Sequence, residues 1–214
     1  MTAPTPEDLR MKLYYSPGAC SLAPMIVMEW LELDYELARV NLRERDEDFL
    51  RVNPMGSVPA LERDDGRVFT QVDAILQYLG EQDPHADLLG KDEDERFEMH
   101  MWLAFLTGDF HPAWGGYFRP KRFTTDRGEQ AVAAVKEGFQ NRIHTVTGVL
   151  EGMLGDGEHA VLHRRTIVDP YIYAMARWLR GMDDALQQYP KINGLLARLE
   201  NDPGVQRALE REQA

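Results

Sequence analysis

The segment that decides the fold runs from residue 11 to residue 33 and reads MKLYYSPGACSLAPMIVMEWLEL. Its opening part, Met11 to Tyr15, has the aromatic and apolar content of a short strand, and Ser16-Pro17-Gly18 interrupts that strand. The residues from Pro24 to Leu33 are mostly apolar, which is typical of a buried helix with proline in its first turn. A strand, a tight loop and a helix therefore begin an α/β unit, and Cys20 lies where the helix starts.

The segments that follow complete this unit. Tyr35 to Leu42 alternates as a second strand should, and Asp64-Asp65-Gly66 is a hairpin turn signal between strands at Ala60–Arg63 and Arg67–Thr70. Asp73 to Glu81 then carries apolar residues at helical spacing. This order of elements predicts a compact α/β domain over residues 11–86.

After Asp83-Pro84 the pattern becomes purely helical. Apolar residues recur at helical spacing in Arg96–Leu106, Ala131–Leu154, the segment after Thr166-Ile167-Val168-Asp169, Ile192–Leu199 and Val205–Leu209. We therefore expect a second, all-helical domain over residues 92–214, so that the fold class is α/β plus all-α.

Composition narrows the functional classes. The formal net charge of −12 disfavours nucleic acid and anionic membranes as partners. A single cysteine allows neither an intrachain disulfide nor a multi-cysteine zinc site, and we expect no metal. No apolar run approaches the roughly 20 residues of a membrane span, and the polar beginning of the chain does not resemble a signal peptide, so we expect a cytoplasmic protein.

Cys20 is the first candidate for chemistry. A helix start carries partial positive charge and free N–H groups, so a thiolate there, from Cys20 or from a bound ligand, would have a lowered pKa. Alternatively, Cys20 is a small buried apolar residue. Its position alone does not decide between these interpretations.

The second candidate is the turn before the third strand, Gly56 to Leu61, which reads GSVPAL. A cis Val58–Pro59 bond would offer the Val58 N–H and C=O groups to an extended peptide, as one rung of an antiparallel ladder does. A trans turn is far commoner in general, and the motif alone leaves both open.

Three segments together resemble the cytosolic glutathione transferases, and most closely their bacterial beta class. Lys12 to Ala23 is similar to the opening of that class, Asn53 to Leu61 resembles its N-P-x-G-x-V-P-A-L block, and Thr166 to Asp169 resembles the start of the family's core helix. The resemblance implies a thioredoxin-like N-terminal domain, a C-terminal helical bundle, glutathione as co-substrate and a homodimer. It also implies a cis Pro59 and pairing of Val58 with the cysteinyl backbone of glutathione.

The resemblance assigns further residues to the site. Cys20 matches the beta-class cysteine beside the glutathione sulfur, and His111 matches an active-site residue that reaches in from the helical domain. Ser21 and Tyr15 are expected to help lower the thiol pKa.

Independently of the resemblance, the aromatic residues between Trp102 and Phe118 are interpreted partly as core and partly as the wall of a pocket for a small hydrophobic electrophile. The stretch Trp114 to Pro120 is the expected pocket portion, because glycines next to aromatic residues indicate a shaped loop.

The sequence departs from the family where the γ-glutamyl end would bind. Gln71 and Val72 occupy positions where the family usually has Glu or Gln followed by Ser, so Val72 can offer only its backbone N–H to the ligand carboxylate. Ala104 stands where beta-class members often carry a polar residue. Arg45, or its neighbour Arg43, is expected to meet the glycyl carboxylate, although both could equally be solvated surface charges.

The resulting prediction is a transferase that joins the glutathione thiolate to small electrophiles. Two alternatives stay open at this point. Cys20 could instead reduce disulfides by a monothiol route, because the chain has no C-x-x-C motif. The chain could also be a non-catalytic binding protein of the same fold, which the departures at Val72 and Ala104 would favour.

Overall fold

The computed structural model describes residues 11–44, 46–182 and 185–214. Its N-terminal part contains four strands and three helices. In chain order these are β1 (Met11–Tyr15), α1 (Leu22–Trp30), β2 (Tyr35–Arg39), α2 (Glu47–Val52), β3 (Ala60–Arg63), β4 (Val68–Thr70) and α3 (Val72–Gly80).

The four strands form one sheet in the order β2-β1-β3-β4. β1 runs parallel to β2 and antiparallel to β3, with Leu13 level with Leu37 on one side and Leu61 on the other. Because β1 and β2 are parallel, the chain must cross over between them, and α1 is the crossover. This mixed sheet with its helices is the expected thioredoxin-like architecture.

The alternation in β1 decides which helices cover which face of the sheet. Met11, Leu13 and Tyr15 are buried in the larger core with the apolar residues of α1 and α3. Tyr14 points to the other face, where it packs in a smaller cluster with Phe49 of α2. The Asp46 carboxylate caps α2 by accepting bonds from two backbone N–H groups at its start.

The C-terminal part is built from helices. They are α4 (Glu93–Phe105), α5 (His111–Ala113), α6 (Gly115–Phe118), α7 (Glu129–Met153), α8 (Val168–Ala176), α9 (Pro190–Glu200) and α10 (Pro203–Gln213). A π-helical turn, Leu106–Phe110, joins α4 to α5. No helix in the described ranges has both the length and the apolar character that crossing a membrane requires.

Two of these helices hold the N-terminal part. Every residue of α8 is buried, and α8 packs against α1. α10 also packs against α1, where Arg207 and Arg211 bind the Glu29 carboxylate at 3.0 and 2.9 Å. The α1 helix is therefore enclosed by the sheet on one side and by the helical part on the other.

Most predicted elements are present, with differences at their ends. The predicted strand to Leu42 ends at Arg39, although the Val40 N–H still bonds to the Tyr15 carbonyl. The helix predicted from Arg96 starts at Glu93, because the Asp92 carboxylate caps it.

Candidate active site

The site is built on the loop between β1 and α1, which runs from Ser16 to Ser21. Gly18 lies in this loop with a φ of 79°, a conformation that glycine adopts at little cost. Cys20 lies in this loop two residues before the start of α1, and it is only 5% exposed.

The helical part clamps this loop from outside. The Glu212 carboxylate accepts a bond from the Gly18 N–H at 3.0 Å and forms a buried ion pair with Arg177 at 2.8 Å. Arg177 also donates to the Ala19 carbonyl at 3.3 Å, and the Trp178 indole N–H donates to the Gly18 carbonyl at 2.7 Å. These bonds fix the main chain immediately before Cys20.

The turn before β3 lies directly opposite. The Val58–Pro59 peptide bond is cis, as expected. The Cys20 thiol donates to the Val58 carbonyl at a sulfur–oxygen distance of 3.4 Å. No described residue accepts a hydrogen bond from the Val58 N–H, so that donor stays available to an extended peptide.

The Cys20 thiol itself is not activated. Burial raises its pKa to about 12, and its backbone hydrogen bond and the charge of Arg177 only partly oppose this effect. Of the two interpretations that the sequence left open for Cys20, this burial favours the small buried residue over the thiolate with a lowered pKa. This burial concerns the thiol of Cys20 and not the sulfur of a bound ligand.

Ser21 and Tyr15 are both buried beside Cys20. The Ser21 hydroxyl accepts a bond from the Ser16 N–H at 3.2 Å and donates to the Ser16 carbonyl at 3.4 Å, so it braces the loop. Tyr15 ends β1 on the face that carries the main core. Their role toward a ligand stays a prediction.

Gln71 and Val72 form the start of α3. Gln71 is exposed with a φ of 73° and a ψ of 124°, a backbone conformation that costs a non-glycine residue of order 1–3 kcal/mol and is concentrated at functional sites. The Val72 side chain is buried in the main core, so only its main chain is available at the helix start.

Arg45 lies outside the described residues. Its neighbour Arg43 lines a cavity of about 400 Å³ between the loop after β2, helix α2 and the Pro54–Gly56 segment. Arg122 from the helical part also lines this cavity, as do the acidic residues Glu44 and Asp46. Both signs of charge are therefore present beside the Val58 turn.

His111 lies in the helical part, and its role in the site stays a prediction. It is the first residue of α5 and directly follows the π-helical turn, a feature that is frequent at functional sites. Its Nδ1 lies 3.2 Å from the Tyr171 hydroxyl, and burial lowers the pKa of His111 to about 4. The imidazole is therefore neutral at physiological pH.

His111 belongs to an aromatic surface that also includes Trp114, Phe118 and Trp178. The ring centroids of His111 and Phe118 lie 5.6 and 5.2 Å from that of Trp178, and Trp114 stacks on Phe118. Phe118 is 52% exposed, so part of this surface is open. The same Trp178 binds Gly18, which places the aromatic surface beside the Cys20 loop.

Sequence reasoning missed four residues of this site: Tyr171, Arg177, Trp178 and Glu212. Arg177, Trp178 and Glu212 contact a loop between 158 and 194 residues away, and Tyr171 contacts His111, 60 residues away, so no local pattern predicts these pairs. Arg177 and Glu212 lie in different helices and each looks in the sequence like a surface charge. No group of three or more His, Cys, Asp or Glu suited to a metal occurs in the described part of the chain.

The fold and the site together define a class of protein. A thioredoxin-like sheet presents a cis-proline turn to a cysteine at a helix start, and an all-helical domain covers the loop that carries this cysteine. Such a protein can hold an extended thiol peptide against the sheet edge and a second molecule against the aromatic surface.

Comparison with known proteins identifies the family within that class. Residues 18–82 match the N-terminal domain of glutathione S-transferases, and residues 114–212 match their C-terminal domain. The chain is 33% identical to glutathione S-transferase GstA of Escherichia coli O157:H7 over 208 residues, covering 94% of this chain and 98% of that protein. It therefore belongs to the glutathione S-transferase family.

Solved structures agree with this assignment. The bacterial beta-class glutathione S-transferase of Sphingomonas chungbukensis superposes with a TM-score of 0.82 at 33% identity, covering 94% of this chain and 98% of that one. A sphingomonad glutathione S-transferase complexed with glutathione gives a TM-score of 0.81 at 31% identity, with the same two coverages.

Proposed function

We propose that this protein is a glutathione transferase that joins the sulfur of glutathione to small hydrophobic electrophiles. One observation carries the proposal: the cis Val58–Pro59 turn presents an available N–H beside a carbonyl that lies 3.4 Å from the Cys20 sulfur. A cysteinyl residue that pairs with Val58 would carry its own sulfur toward the start of α1. The sphingomonad relative whose structure contains glutathione supports this ligand.

The remaining parts of glutathione have partners of suitable chemistry. The γ-glutamyl carboxylate is an anion, and the backbone N–H groups at the start of α3 from Val72 onward attract anions. The Gln71 side chain accepts a hydrogen bond from the ligand's ammonium group. Arg45, with Arg43 beside the cavity, is proposed to meet the glycyl carboxylate.

The reaction needs a thiolate and a bound electrophile. The glutathione thiol releases its proton to solvent, the sulfur forms a new bond to carbon, and the leaving group departs with the electron pair of the broken bond. The partial positive charge of the helix start favours the thiolate. Cys20, Ser21 and Tyr15 lie at or next to this helix start, and His111 is proposed to reach the glutathione sulfur from the helical part.

The aromatic surface is the proposed binding place of the electrophile. It is apolar and partly open, and it adjoins the Cys20 loop through Trp178. Aromatic electrophiles such as aryl halides would stack on Phe118 and Trp178.

The Cys20 environment argues against the monothiol disulfide reductase. A nucleophilic cysteine must be a thiolate, and a thiol with a pKa of about 12 is protonated at neutral pH. The transferase uses the sulfur of its substrate and does not need Cys20 as a nucleophile.

We further propose domains over residues 11–86 and 92–214, a cytoplasmic location and a homodimer. Phe97 and Met101 support the dimer, because these apolar side chains lie one turn apart on α4 and are 66% and 52% exposed. Light scattering of the wild type against a Phe97→Glu, Met101→Glu variant tests it, since a dimer through α4 would dissociate.

Turnover and binding test the main proposal together. We expect saturable heat on titration with glutathione and conjugation of an aryl halide. The Gln71→Ala variant should raise the KM for glutathione, whereas Gln130→Ala, at the exposed start of α7, should not. No saturable binding at millimolar glutathione, together with no conjugation, would refute the proposal.

A further inference from the structure

The environment of the Tyr171 hydroxyl has no role in the function proposed so far. Tyr171 lies in α8 and is 1% exposed, and its hydroxyl lies 3.2 Å from Nδ1 of His111. The rings meet edge to face with centroids 6.1 Å apart. The Thr107 hydroxyl, from the π-helical turn, hydrogen-bonds the same phenol.

The acidity of the two groups decides which of Tyr171 and His111 donates the hydrogen bond between them. Burial raises the pKa of Tyr171, so the phenol keeps its proton, while the Thr107 bond acts to lower that pKa. A phenol is a stronger acid than the N–H of a neutral imidazole, and an unprotonated imidazole nitrogen is a stronger base than a phenol oxygen. The Tyr171 phenol therefore donates to Nδ1 of His111, which lies 3.2 Å from its oxygen.

His111 can accept that bond because it is neutral. A neutral imidazole carries one ring proton, so one nitrogen donates and the other accepts. If Nδ1 accepts from Tyr171, the proton must reside on Nε2.

Tyr171 is also close to the reacting end of the site. The charge of Asp73, in the first turn of α3, acts on the Tyr171 phenol, and α8, which carries Tyr171, packs against α1, which begins just after Cys20. Trp178 contacts the His111 ring at 5.6 Å and binds Gly18, two residues before Cys20. The Thr107–Tyr171–His111 chain therefore ends beside the Cys20 loop.

We propose that Tyr171 is a positioning residue that holds His111 in the Nε2–H tautomer, so that His111 donates a hydrogen bond to the sulfur of bound glutathione. This inference rests on the proposed function for its ligand, although the tautomer itself does not depend on turnover. In this arrangement His111 lowers the free energy of the glutathione thiolate as a neutral donor, and the thiol proton leaves to solvent. The π-helical turn serves the same end, because it carries Thr107 and directly precedes His111.

Nitrogen NMR of protein with labelled histidine tests the tautomer without any reaction. We expect the Nε2–H form for His111 in the wild type and a mixture of tautomers in Tyr171→Phe. A matched control exists in Tyr189, whose hydroxyl lies 3.1 Å from Nδ1 of His144, so Tyr189→Phe should leave the His111 signals unchanged. An Nδ1–H signal for His111 in the wild type would overturn the proposal.

A double-mutant cycle tests the consequence for the sulfur. Tyr171→Phe should lower kcat about fivefold, the worth of one neutral hydrogen bond, raise the pKa of the bound thiol and leave the KM for glutathione unchanged. In a His111→Gln background, whose amide donates without needing a tautomer, the same substitution should have no effect. An equal loss in both backgrounds would show that Tyr171 acts only through packing.

Thr107→Val provides a second variant at an exposed position, and it should repeat the effects of Tyr171→Phe in weaker form. If neither the wild type nor any variant shows turnover, while His111 of the wild type gives the Nε2–H signal, the proposed function is refuted and the tautomer assignment still holds. Normal turnover with unchanged thiol pKa in Tyr171→Phe would refute the inference and leave the function standing.

Discussion

Replacing Glu212 with glutamine is expected to destabilise the protein strongly, because Glu212 is the buried anion that holds the Cys20 loop. Its carboxylate accepts two bonds from Arg177, at 2.8 and 3.0 Å, and one from the Gly18 N–H at 3.0 Å. The side chains of Arg177 and Glu212 are 14% and 5% exposed. Glutamine keeps the shape but leaves the guanidinium buried without an opposite charge.

The size of the effect follows from that burial. Removing one partner of a buried ion pair costs about 3–5 kcal/mol, mostly because the other charge stays out of water. For a chain of this length 1 kcal/mol shifts Tm by roughly 2–4 °C, so a loss of about 3 kcal/mol corresponds to roughly 6–12 °C. The KM for glutathione should also rise, since the main chain before Cys20 loses an anchor.

Thermal and urea unfolding at a fixed protein concentration measure this loss. The control is Asp109→Asn, which breaks the Asp109–Arg142 pair at 2.6 Å, where both side chains are 50% exposed. That pair should contribute no more than about 1 kcal/mol. Equal and small losses in the two variants would refute the reasoning, because burial would then not distinguish the pairs.

Three further predictions concern the site. Iodoacetamide should label Cys20 slowly in the native protein and rapidly after unfolding, because the folded thiol has a pKa of about 12; complete native labelling within minutes, seen by intact mass, would contradict this. The pH profile of kcat/KM should show no change from His111 titration near its ordinary pKa of about 6.5, because burial lowers that pKa to about 4. The free energy of unfolding should fall as the pH drops from about 6.5 towards about 4, because in this range only the unfolded chain protonates the imidazole. Val72→Ser should leave the affinity for glutathione unchanged by calorimetry, as should Val149→Ser on exposed α7, because the side chain at position 72 lies in the core and only its main chain can meet the γ-glutamyl carboxylate. A severalfold gain in affinity for Val72→Ser alone would contradict this.

The fold was predictable from the sequence because its signals are local. The aromatic and apolar content of β1, the Asp65-Gly66 turn and the helical spacing after Pro84 are each patterns of a few residues. Boundaries differ where a cap decides them, as at Asp92, which extends α4 beyond its apolar pattern.

The site was predictable only in part. The motif around Val58 and its expected meeting with Cys20 came from family resemblance, since the two residues are 38 apart in sequence. The sequence left two interpretations of Cys20 open, a thiolate with a lowered pKa and a small buried residue, because the position at a helix start does not reveal how deeply tertiary packing buries the thiol. Tyr171 and Glu212 were missed because tertiary packing alone gives them partners.

The role of α10 also has a consequence for biosynthesis. A ribosome makes the sheet and α1 first, yet Glu29 pairs with Arg207, 178 residues later, and Gly18 with Glu212, 194 residues later. Until α10 emerges, the Glu29 carboxylate of α1 keeps only the Tyr35 hydroxyl and lacks both arginine partners, and the Gly18 N–H of the Cys20 loop lacks its acceptor. The nascent N-terminal domain therefore reaches its final geometry only after α10 has been made. Ribosome-bound chains that stop before Pro203 should consequently not be retained on a glutathione column.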